Sequence, residues 1–153
     1  KLTELAAVVE EAERERRLRA TGEPETGPLV RTLLRLRHDL VLVGRAAGAA
    51  LPDALRNPLR QPLAAVSSEI SHHLEACAAA MRERRPAPNG AAIGTALASY
   101  DTEVEALRSA GLMRALPADD VERCFAAGFA LEQMRRNTGD LDRCIDDWAT
   151  KAT

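Results

Sequence analysis

Apolar residues recur three and four positions apart along most of this chain, the spacing that lines one face of a helix. Leu29, Leu33, Leu36, Leu40, Val43 and Ala47 form one such stripe, over a helix predicted from Pro28 to about Ala50. Gly27-Pro28 opens it, with proline at a first-turn position. Arg31, Arg35, His38 and Arg45 fall on a second stripe of the same helix, so it carries one apolar and one basic face. A lead-in helix is predicted from about Leu2 to Ala20, where Leu2, Leu5, Val8, Val9 and Ala12 give way to the charged run Glu13 to Arg17. Thr21 to Thr26 reads as a loop around Gly22 and Pro24.

Beyond Ala50, Pro52, Pro58 and Pro62 read as a punctuated connection, with Asn57-Pro58 as cap and first-turn proline of the next helix. Leu59, Leu63, Val66, Ile70, Leu74, Cys77 and Met81 hold its apolar face as far as about Arg85. Pro86 to Gly90 is a break. The following helix runs from about Ala91 to Ala110, with Ile93, Leu97, Tyr100, Val104 and Leu107 inward and Gly111 as its stop. The last helix starts at Pro117, with Asp119 and Asp120 complementing its dipole. Its stripe is Cys124, Gly128, Leu131, Met134, Leu141, Ile145 and Trp148, widened by Val121 and Phe125, with Gly139 as a midway weak point. The expected fold is all-α: an antiparallel bundle of about five helices. Residues 1–153 are read as a single helical domain, 1–26 as charged lead-in and loop and 27–150 as bundle core. Ala46, Ala47, Gly48, Ala127 and Gly128 are small enough to allow close helix approach.

Composition supports this picture. Apolar residues are 46% of the 153, yet aromatics only 3%, so alanine and leucine supply most of the buried surface and favour helices over strands. No apolar run approaches the ~18 residues of a membrane span. No signal peptide is read, and a start at Lys1 inside a helical pattern reads as an excised fragment. The net charge of -2, with acidic residues abundant and no aromatics among the basic ones, argues against nucleic-acid binding.

Charge is nevertheless uneven. Between Pro28 and Arg45, Arg31, Arg35, Arg37 and Arg45 face only Asp39, whereas Asp119 to Asp147 is acidic. Laid side by side, these helices would pair Arg31, Arg35 and Arg45 with carboxylates such as Glu132, Asp140 or Asp142. The sharper reading makes Arg31, Arg35, His38 and Arg45 a face for an organic anion or an anionic lipid head group.

Catalytic and metal constellations are weak. His72 and His73 are adjacent and diverge by about 100° on a helix, so they do not share a metal, and Glu69 and Glu75 do not change this. His38-Asp39 diverges likewise and makes no dyad. Ser67-Ser68 lacks nucleophile-elbow glycines, and Gly90 to Gly94 lacks the lysine and strand of a phosphate loop. Cys77, Cys124 and Cys144 are odd in number without a CxxC pair. They read as small buried hydrophobes in a reducing compartment, not as a disulfide framework or zinc site. Tyr100 and Trp148 read as core anchors. An enzyme is not expected, nor a cofactor or metal.

Two blocks carry a family resemblance. Gly27 to Ala46, GPLVRTLLRLRHDLVLVGRA, and Val121 to Asn137, VERCFAAGFALEQMRRN, resemble the extramembrane region of the FUSC family, the fusaric acid resistance and aromatic acid exporters. The resemblance implies a helical domain on the cytoplasmic side of the bacterial inner membrane. It would belong to an efflux protein for aromatic carboxylic acids or similar organic anions. Its implied partners are its own transmembrane domain and neighbouring protomers, and its implied role is assembly, coupling or gating. The arginine content agrees with a cytoplasmic side. Two other readings stand beside it: a stand-alone helical scaffold that docks a partner helix, and a small-anion sensor using Arg31, Arg35 and His38.

Overall fold

A computed structural model describes residues 7–9, 11, 14, 26–47 and 51–150. Among them the fold is an all-α helical bundle. Four long helices run Thr26–Ala47 (α1), Asp53–Glu83 (α2), Ala91–Ser109 (α3) and Ala118–Thr150 (α4), with a 3-10 turn at Leu112–Ala115. The predicted lead-in helix and the loop at Thr21 lie largely outside the described residues, as does Gly48. No helix among the described residues is long and apolar enough to cross a membrane.

The helix ends follow local chemistry. The carbonyl of Pro52 accepts N–H bonds from Leu55 and Arg56 at 2.9 and 2.8 Å and opens α2. Arg84 closes it in the left-handed region at φ 51, while the Arg85 N–H reaches back to the Ala80 carbonyl at 2.9 Å. Gly111, at φ 74, ends α3 as its sequence position predicts. Asp119 and Asp120 sit in the first turn of α4, also as expected.

Direction can be read from contacts between helices. Thr32, Arg35 and Asp39 on α1 meet Cys144, Asp140 and Asn137 on α4, so these two run antiparallel. His73 and Cys77 near the end of α2 meet Asp142 near the end of α4, so α2 and α4 run parallel. Tyr100 on α3 meets Cys124 and Gly128 at the start of α4, which makes α3 antiparallel to both. A Cβ at Gly128 would stand 3.3 Å from the Tyr100 ring, so the small residue sets how closely α3 and α4 approach. The core is shared by α2, α3 and α4: Leu55, Leu59, Val66, Tyr100, Leu141 and Ile145 are among its members. From α1 only Leu36 is a fully buried member. This helix lies along α4 and makes no extensive contact with α2.

Four expectations need correction. First, α2 begins at Asp53, and Pro58 and Pro62 lie inside it rather than before it. Each proline lacks only one backbone donor, and burying Leu55 and Leu59, both 0% exposed, outweighs that loss. Second, α1 is rotated relative to its apolar stripe. Leu40 is 57% exposed and Ala47 is exposed, whereas Thr32 and Asp39 are buried. Polar partners waiting on α4 turn that face inward. Third, Phe125 does not widen the buried stripe of α4; it is 50% exposed. Fourth, Trp148 is half-buried rather than a full core anchor, whereas Tyr100 is fully buried as expected.

Candidate functional site

Because α1 leans on α4 and not on α2, a groove opens along the α1–α2 side, with a volume of about 490 Å³. Leu40 and Val43 form one wall, Leu63, Ile70 and Leu74 the other, and Leu131, Met134 and Tyr100 the floor. Each wall is a run of apolar residues at helical spacing that the neighbouring helix covers only in part. The Leu40 exposure noted above is the lip of this groove.

Its polar groups are few. Arg56 and Arg123 line the groove, as do Ser67 and Ser71. Arg56 pairs with Asp53 and Arg123 with Asp120, each within a helix turn. The Nε of Arg123 is buried and has no hydrogen-bond acceptor among the described residues. A buried donor without an acceptor is costly, so the guanidinium gains from any turn that brings it an acceptor. An apolar body with one anionic oxygen group therefore suits the site chemically. Tyr100, on the floor, donates its hydroxyl to the Cys124 carbonyl at 3.1 Å, and burial raises its ionisation far above the ordinary range. It acts as a fixed wall rather than a proton donor.

The predicted anion face does not assemble at this groove. Arg35 pairs with Asp140 at 2.7 Å and also donates to the Thr32 hydroxyl at 3.0 Å. The expected pairing of α1 arginines with α4 carboxylates is thus seen for Arg35 and Asp140. Arg31 and Arg35 share a shallow cleft with Asp140, Arg143 and Asp147, where carboxylates compete with any anion. Arg45 borders a separate apolar hollow with Arg123 and Phe129, and His38 is exposed on α1. The other two carboxylates go elsewhere. Glu132 binds Arg135 and Arg136 on its own helix, which holds its carboxyl at about 2. Asp142 turns to α2.

There it meets a second cluster. The carboxylate of Asp142 lies 2.8 Å from His73 Nε2 and accepts from the Cys77 thiol at 3.5 Å. Burial, reinforced by Asp142, pushes that thiol up to about 12. His73 and Cys77 are four apart on one helix face, a spacing present in the sequence but overshadowed by the adjacent pair His72-His73. Arg123 had no such signal, since its role depends on a gap between two other helices.

Comparison of the chain with protein-family models, with curated proteins and with solved structures finds no match.

Proposed function

We propose that this chain is the helical extramembrane domain of a FUSC-type exporter, on the cytoplasmic side of the bacterial inner membrane, with a role in gating efflux of organic anions. One observation carries the reading. The two resembling blocks, Gly27–Ala46 and Val121–Asn137, form most of α1 and the first half of α4, and these helices pack against each other. Stretches far apart in sequence thus build one continuous unit.

That unit also has the surface such a domain needs. Phe125 and Phe129 are 50% and 66% exposed on α4, and Val41 is exposed on α1. Apolar side chains at this exposure suit contact with a transmembrane block or a neighbouring protomer. The groove, on a different face of α4, suits the substrate class that the resemblance implies. An aromatic ring would lie against the apolar walls near Leu131 and Leu63, with its carboxylate toward the Arg123 guanidinium. Occupancy there would change how α1 is held relative to α2, a physical basis for gating.

Two experiments test this reading. The parent reading frame is expected to hold about six apolar stretches of ~20 residues each. A frame without them overturns the exporter reading and leaves a helical scaffold that uses Phe125 and Phe129 to dock a partner. In titration calorimetry, benzoate-class aromatic carboxylates are expected to bind the chain. Arg123→Ala is expected to weaken them about tenfold or more, the worth of a charge-assisted hydrogen bond. Equal binding by Arg123→Ala, or none by the parent chain, overturns the groove as the anion site.

A further inference from the structure

We propose that His73, Cys77 and Asp142 form a zinc site between α2 and α4. Their donor atoms, an imidazole nitrogen, a thiol sulfur and a carboxylate oxygen, all lie within 4.8 Å of one another. This nitrogen, sulfur and oxygen set is one that zinc takes in tetrahedral sites, at ~2.0–2.3 Å from each ligand. Such bonds separate neighbouring ligands by roughly 3.4 Å. The present separations from Asp142, 2.8 Å to His73 and 3.5 Å to Cys77, bracket that value. The three donors close from within 4.8 Å of one another onto that spacing as the ion enters.

Placement and charge agree. His73 and Cys77 project from one face of α2, and both are buried. A polar trio with two buried members and a half-buried carboxylate contributes less to a helix interface than apolar residues of the same size, so its presence asks for a reason. On binding, the Cys77 thiol gives its proton to solvent. The resulting thiolate and the Asp142 carboxylate then balance a divalent cation where water is scarce. Three protein donors leave a fourth position for water or a small ligand.

The turn between α2 and α3 closes over the cluster. A Cβ at Gly90 would stand 3.2 Å from His73 Cε1 and 3.5 Å from Asp142 Oδ2, so a residue without a side chain is what fits there. The same turn is tied to α4 one helical turn further on, where the Ala87 N–H donates to Asp146 Oδ1 at 2.8 Å. These contacts would hold the imidazole and the carboxylate in place around the ion.

The test is a titration of the 153-residue chain with Co²⁺. A thiolate-to-cobalt charge-transfer band and tetrahedral visible bands are expected to saturate at a single equivalent and to vanish on adding Zn²⁺. Cys77→Ser is expected to abolish the charge-transfer band. His73→Gln and Asp142→Asn are each expected to weaken metal binding at least about tenfold. Cys124→Ser and Cys144→Ser are expected to leave the band unchanged. Circular dichroism on each variant confirms that the helices persist. A folded parent chain without the band overturns the site, as does a band that survives Cys77→Ser or an affinity unchanged by His73→Gln. This proposal does not rest on the groove, and Arg123→Ala is expected to keep the cobalt spectrum.

Discussion

Asn137→Ala is expected to lower the unfolding free energy by about 3 kcal/mol. The Asn137 side-chain amide donates to Asp39 Oδ2 at 2.6 Å, and both residues are buried where α1 meets α4. Removing the donor leaves a carboxylate out of water without its partner, and that desolvation is the larger part of the loss. Three kcal/mol is a large share of the ~5–15 kcal/mol that holds a typical domain together. Urea unfolding followed by circular dichroism gives the number. The double variant Asp39→Leu/Asn137→Leu is expected to recover most of it, because apolar groups of similar size need no partner. If Asn137→Ala unfolds within about 0.5 kcal/mol of the parent chain, the pair is not what fixes α1 on α4.

Tyr100→Ala is expected to cost about 3–5 kcal/mol, the range for deleting a buried aromatic side chain. The ring is 2% exposed, rests over Gly128 and floors the groove. Its loss opens a void that neither neighbour can fill, since Gly128 has no side chain and α3 is fixed by Ile93, Leu97 and Leu107. Tyr100→Phe keeps the ring and gives up only the hydrogen bond to the Cys124 carbonyl, at a cost of about 1 kcal/mol. For a chain of this size each kcal/mol shifts Tm by roughly 2–4 °C, so a thermal melt separates the two variants. Equal melting of Tyr100→Ala and Tyr100→Phe would mean that the ring is not a structural anchor.

What the sequence made legible follows from what each helix faces. The helix α3 was readable nearly to the residue. Ile93, Leu97, Tyr100 and Leu107 all pack inward, and glycine at 111 ends it as glycine should. The start of α2 was not, because Pro58 and Pro62 are strong local signals and the burial of Leu55 and Leu59 that overrides them is a tertiary effect. In α1, hydropathy sends Thr32 and Asp39 to solvent, and only partners on α4 bring them inside. The basic stripe was visible, and one of its members, Arg35, found the expected kind of carboxylate, Asp140. The groove was beyond reach, since no local pattern encodes a gap between two helices. Two of the three members of the metal-type cluster, His73 and Cys77, share a helix face in the sequence, while Asp142 arrives from 65 residues further along.

The way α1 is attached also sets an order of events during folding. Its hydrogen bonds to α4 join residues 98 to 112 positions apart, whereas α2 and α3 meet across a turn of a few residues. Closing the longer loop costs more chain entropy before any contact repays it. The three-helix core can therefore condense first, and docking of α1 becomes the late step, with mutations along it speeding unfolding more than they slow folding. Folding φ-values near zero on α1 and higher on the α2–α3 pair would record that sequence, and the reverse pattern would refute it.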